Sequence, residues 1–108
     1  NMTGMAAGLA LSGKTVFTYS IANFPSLRPL EQIRNDICYH NANVKVIGVQ
    51  GSVHYKFLGF SHNIEPEDED IKILQHLPNI KLYTPKLEDV KQTIVDTYNS
   101  PNPTYIRL

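Results

Sequence analysis

Val44-Lys45-Val46-Ile47-Gly48-Val49 is the stretch on which the fold turns. It is short, mostly apolar and rich in β-branched residues. That is the pattern of a strand in a parallel sheet covered on both faces, not of an antiparallel strand with one wet side. Upstream, Thr15-Val16-Phe17-Thr18-Tyr19-Ser20-Ile21 is β-branched and aromatic, without Gly or Pro, and reads as a preceding strand. Downstream, Ile80-Lys81-Leu82-Tyr83 and residues 104–108 read as a third and a fourth.

Helical patterns fill the gaps. Residues 2–11 are dominated by Ala and Gly, with Gly4, Ala7, Gly8 and Leu11 on one face and Gly13 where a left-handed cap is wanted. Ser26 is placed to cap a helix with Pro29 in its first turn. Leu27, Leu30, Ile33 and Ile37 form its stripe, and it runs to about Tyr39. A third helix spans residues 66–77, with Ile71, Leu74 and Leu77 buried and Pro78 as its stop. Thr84 and Pro85 open a fourth, whose apolar side is Leu87, Val90, Ile94, Val95 and Tyr98. Helix and strand alternate throughout, so the fold class is α/β: a parallel sheet with helices on both faces, its ligands expected beyond the carboxyl ends of the strands.

The 108 residues have the size of a single domain, and the sequence opens on Asn1, not Met, which we read as part of a longer protein. Ten basic and ten acidic residues cancel, leaving no broad electrostatic footprint for nucleic acid or an anionic membrane. The exception, Glu65-Pro66-Glu67-Asp68-Glu69-Asp70, reads as a solvated helix start whose charges oppose the helix dipole, with a metal site as the minor alternative. Cys38 is the single cysteine, so neither a disulfide framework nor a C-x-x-C zinc pair is available. It falls inside a predicted helix and reads as a buried structural thiol; a reducing cytoplasm fits it. No apolar stretch reaches the ~18 residues of a spanning helix.

Candidate chemistry gathers after the first two strands. Ile21-Ala22-Asn23-Phe24-Pro25 comes after one, and Gln50-Gly51-Ser52-Val53-His54-Tyr55 begins an aperiodic stretch, residues 50–64, after the other. A loop of that length inside a compact domain is more often functional than passive. Phe24 offers a flat apolar face for an aromatic ligand, and His54 and His62 are proton carriers near neutral pH. Taken alone, each reads more readily as ordinary core or surface than as a site.

Longer strings are more specific. Residues 1–10, NMTGMAAGLA, resemble the helix that follows the cofactor-binding glutamate in transketolase-like thiamine-diphosphate enzymes. In the same order come Phe24 to Arg34, with Arg28 and Gln32-Ile33-Arg34, then Tyr55-Lys56-Phe57-Leu58-Gly59-Phe60-Ser61-His62, Leu77-Pro78-Asn79-Ile80 and Thr84-Pro85. The resemblance covers nearly the whole chain and implies part of a pyrimidine-binding domain.

It implies that Phe24 stacks on the cofactor's aminopyrimidine, with Ile21 and Leu27 where relatives often carry further aromatic residues. His62 matches the loop histidine that handles substrate protons, and His54 and Arg107 are weaker substrate-side candidates. The family's glutamate would lie just upstream of Asn1. The ligands for magnesium and the diphosphate belong to a separate domain or subunit, so no metal ligand is assigned here. The implied partners are that diphosphate-binding section, a sugar-like substrate, and further chains in a homo- or hetero-oligomer. The implied reaction is transfer of a two-carbon ketol unit, with the fragment inactive alone. The alternatives are another thiamine-dependent synthase or decarboxylase, and a non-catalytic assembly domain of the same fold.

Overall fold

A computed structural model describes residues 1–64 and 68–108 of the chain. Its strands are β1 (Val16–Ile21), β2 (Val44–Val49), β3 (Lys81–Tyr83) and β4 (Thr104–Arg107), in the order β1-β2-β4-β3. Every pairing is parallel, with Ile21 opposite Val49, Ile47 opposite Ile106, and Tyr83 opposite Ile106 from the other side. The parallel sheet flanked by helices expected from the alternation is therefore the architecture of the chain. In β2, Val44, Lys45 and Val46 are all buried, as two covered faces require. The core beneath gathers Ala6, Ala7, Ile33, Ile37, Cys38, Leu74 and Tyr105.

Helix α1 (Met2–Leu11) ends at Ser12, and Gly13 takes φ 92°, the left-handed geometry anticipated for it. Its buried face is Thr3, Ala6, Ala7 and Ala10; of the Gly4–Ala7–Gly8–Leu11 face the spacing suggested, Ala7 is buried and the other three are exposed. A Cβ added at Gly4 or Gly8 would meet nothing within 4 Å. Alanines suffice for close packing on β1, and the glycines face outward.

The helix expected from Ser26 is broken into pieces. Short α2 (Asn23–Ser26) comes directly after β1, and the Ser26 hydroxyl donates back to the Ala22 carbonyl instead of capping a longer helix downstream. Pro29 precedes α3 (Leu30–Gln32), which widens at once into a π-helical stretch, Ile33–Cys38, where the Tyr39 amide donates to the Arg34 carbonyl five residues back. Ile33, Ile37 and Cys38 are fully buried, and burial pushes the Cys38 thiol up to about 11.

Between β2 and β3 the chain runs through two 3₁₀ segments, Gly51–Val53 and Lys56–Ser61, and then α4 (Glu69–Leu74). Glu65, Pro66 and Glu67, half of the acidic run, lie outside the described residues. Glu69 and Asp70 stand in the first turn of α4 as expected, but Asp70 is fully buried, not solvated. Helix α5 (Val90–Tyr98) begins after a 3₁₀ turn at Leu87–Asp89, with Lys86, not Thr84, at its entry. Leu87, Val95 and Tyr98 are exposed, and the residue α5 buries is Thr97, so the expected apolar stripe is largely uncovered within this chain. No helix of the described residues is long and apolar enough to cross a membrane.

Candidate functional site

Parallel pairing brings the carboxyl ends of β1, β2 and β4 to one edge of the sheet. The Ala22 amide donates to the Val49 carbonyl, and the Gln50 amide to that of Leu108. Helix α2 starts at this edge, so Phe24 stands one turn beyond β1. The residues after β2 fold back on it, and His62 closes the second 3₁₀ segment with its ring 5.1 Å from that of Phe24, the planes 81° apart. This is an edge-to-face contact, favoured by the ring quadrupole. The Tyr55 ring flanks His62 at 6.5 Å, and the Ser61 Oγ lies 2.8 Å from His62 Nδ1.

A small polar frame fixes the loop. Asn23 Nδ2 donates to the Asn63 carbonyl, and Asn63 Nδ2 donates to the carbonyls of Tyr55 and Gly59. Both asparagines are buried, and the Oδ1 of each has no hydrogen-bond partner among the described residues. A Cβ on Gly51 would collide with the His62 carbonyl oxygen and come within 3.0 Å of Ile21 Cγ2. The backbone of His62 is therefore seated on Gly51, and only glycine leaves room for it.

The open side of Phe24 faces a cavity of about 300 Å³ lined by Asn1, Met2, Thr3, Phe24, Arg28, Pro29 and Gln32. It joins the start of α1 to the α2–α3 segment. Within it the Arg28 guanidinium carbon lies 4.2 Å from the centre of the Phe24 ring, a cation–π contact.

Of the residues singled out from the sequence, Phe24 and His62 meet. Ile21 packs beside Gly51, while Leu27 is half-buried at the end of α2 and, like Ile21, is not part of the cavity lining. His54 is exposed at the end of the Gly51–Val53 turn, and its ring makes no contact with the cluster among the described residues. Arg107, at the end of β4, forms ion pairs with Asp68 at 3.3 Å and Asp70 at 3.5 Å. Tyr105 also donates to Asp70, at 2.5 Å. Burial and the Asp70 carboxylate hold the Tyr105 phenol well above its usual range.

Asn23, Gly51 and Asn63 carry no motif of their own. The available signal was their place beside Phe24, at the end of β2 and beside His62. Among the described residues, no group of three or more His, Cys, Asp or Glu side chains could hold a metal ion.

Comparison with known proteins supplies the family. The family described as "Transketolase, pyrimidine binding domain" matches residues 1–108. One subunit of the apulose-4-phosphate transketolase of Actinobacillus succinogenes is 36% identical over 109 aligned positions, covering 100% of this chain and 34% of that protein. A putative transketolase C-terminal section from Methanocaldococcus jannaschii is 37% identical, again over 100% of this chain and 34% of its own length. A solved structure described as a split gene transketolase, inactive beta4 tetramer, superposes with a TM-score of 0.83 at 33% identity, covering all of this chain and 33% of that one. The chain thus spans about a third of the length of the relatives it matches.

Proposed function

The chain belongs to the transketolase pyrimidine-binding domain family, and from that premise we propose that it forms the pyrimidine side of a thiamine-diphosphate site, competent only when a second polypeptide section completes it. The observation that carries this reading is the Phe24 ring, half-buried and lining a cavity of about 300 Å³ between the start of α1 and the α2–α3 segment. That cavity suits a flat heterocycle: it has an aromatic wall in Phe24 and the Gln32 side chain on its lining.

When bound, thiamine diphosphate supplies the carbanion chemistry, and the protein's part is orientation and proton handling. Phe24 would stack on the aminopyrimidine, with Ile21 and Leu27 as apolar supports behind it. His62, held by Gly51, Ser61 and the Phe24 edge, would take and return a proton on the substrate hydroxyl or carbonyl. His54, exposed after the Gly51–Val53 turn, and Arg107 remain substrate-side assignments. Arg107 would act from within its pairs with Asp68 and Asp70, which makes orientation its more natural part. Magnesium and the diphosphate are assigned to the partner section, as the family resemblance implies.

We assign the assembled parent the transfer of a two-carbon ketol unit between sugar-like substrates, in a reducing cytoplasm suited to the buried Cys38 thiol. Relatives described as one subunit and as a C-terminal section of transketolases support a divided architecture of this kind. So does an uncovered apolar face made by Met2, Met5 and Leu9 of α1 with Phe17 and Tyr19 of β1, the edge strand, which suits burial against another chain.

A second reading, an assembly domain without chemistry of its own, is favoured by the aliphatic Ile21 and Leu27 and by the similar structure described as an inactive beta4 tetramer. Calorimetric titration of thiamine diphosphate and magnesium into the complete parent assembly, beside Phe24→Ala, separates the two. Saturable binding weakened by the substitution supports the pyrimidine site. No binding to a folded, fully assembled parent replaces it with the assembly-domain reading.

A further inference from the structure

We propose that Arg28 is a displaceable cover on the aromatic face that receives the pyrimidine; this rests on the assignment of Phe24 to that site. The Arg28 guanidinium carbon lies over the Phe24 ring, 4.2 Å from its centre, and both side chains line the same cavity. His62 meets the same ring at 81° from outside the cavity lining, and the face of Phe24 under Arg28 is shared with that lining. A planar heterocycle stacking there needs the space the guanidinium occupies.

The cover suits its place. A planar, weakly hydrated cation shields an aromatic face from water better than a lysine ammonium does, and it leaves without stranding a buried charge because Arg28 is otherwise exposed. The guanidinium's contact is with the Phe24 ring, with no hydrogen bond or ion pair to it among the described residues, whereas Arg34, which also lies over an aromatic ring, is tied down by hydrogen bonds to Asn35 and Tyr39. The contact is therefore easily exchanged, and the ligand's affinity is reduced by the stability the guanidinium lends to the closed state.

The test is calorimetric titration of thiamine diphosphate with magnesium into the complete assembled protein, comparing wild type, Arg28→Ala, Arg28→Gln and Phe24→Ala, with thermal melting as a check on folding. Removing an exposed cation–π cover is expected to tighten binding roughly two- to fivefold in both Arg28 variants. Unchanged or weakened binding in them, while Phe24→Ala still weakens it, overturns the cover and leaves the pyrimidine site standing. Binding insensitive to Phe24→Ala overturns both.

Discussion

The Tyr105 hydroxyl donates to the Asp70 carboxylate across 35 positions of sequence, and both residues are completely buried. This bond fastens the first turn of α4 to the middle of the sheet, while Arg107, two residues on along β4, neutralises the same carboxylate from the site edge. The hydroxyl also fills the space above Gly48, where a Cβ would overlap it. Tyr105→Phe keeps the packing but takes from a buried charge its shortest hydrogen bond. We expect a loss of about 1.5–3 kcal/mol in urea unfolding, with the m-value unchanged. A loss within error would mean that the bond is replaced by other donors.

Gly51→Ala tests the seat of His62. Gly51 does not have a positive φ, so the cost is steric: the new methyl meets the His62 carbonyl. We expect about 1–3 kcal/mol of destabilisation as the 3₁₀ segment shifts. The His62 ring proton resonances should also move as the ring leaves the Phe24 edge. Unchanged resonances in a folded variant would show that another contact holds the loop.

Lys45 is buried in β2, donating to the carbonyls of Ser100 at 2.8 Å and Asn102 at 2.5 Å. Burial, then the nearby Lys81 charge, lower its amine to about 8, against which the two carbonyls favour the charged form. An unfolded lysine titrates at about 10.4, so the unfolded chain holds more protons between these values. The cost of burying the charge is therefore fully present below about pH 8 and is relieved as pH rises. Relative to Lys45→Met, the wild type should gain about 1–2 kcal/mol between about pH 7.5 and 9.5 in urea melts. Parallel curves for the two proteins would place the amine in its ordinary range.

His62→Ala in the assembled parent should lower kcat for ketol transfer by about 10²–10⁴ while leaving the Kd for thiamine diphosphate within severalfold of wild type. Steady-state kinetics and calorimetry read the two separately. A large loss of affinity with little change in kcat would recast His62 as a wall of the cofactor pocket.

The strands were legible because burial on two faces demands the β-branched runs that Val44–Val49 displays. The meeting of Phe24 with His62 was foreshadowed by their places after β1 and β2, which parallel pairing brings together. Other features depend on contacts no local pattern encodes. The charge of Asp70 reads as solvated until Tyr105 and Arg107 are seen to surround it. Ser26 has the chemistry of a cap and spends it on the turn behind. Three- and four-residue spacing found the buried Ile33 and Ile37 but not the π winding between them, because both windings keep those residues on nearly one face. Helix α5 has the periodicity of a buried helix, yet that side is only partly covered by the described residues: Val90 and Ile94 are half-buried and Tyr98 stacks on Phe17, while Leu87, just before the helix, is 89% exposed.

The sheet order has a consequence for biosynthesis. The last of the four described strands in chain order, β4, is an interior one, lying between β2 and β3. While a ribosome is still holding residues 104–107, β3 has no neighbour and β2 presents a bare edge. The domain therefore cannot close its sheet progressively from the amino terminus, and must wait for Thr104–Arg107 to emerge and thread the gap. A nascent or truncated chain ending before Thr104 would be a client for chaperones, however intact its first two strands.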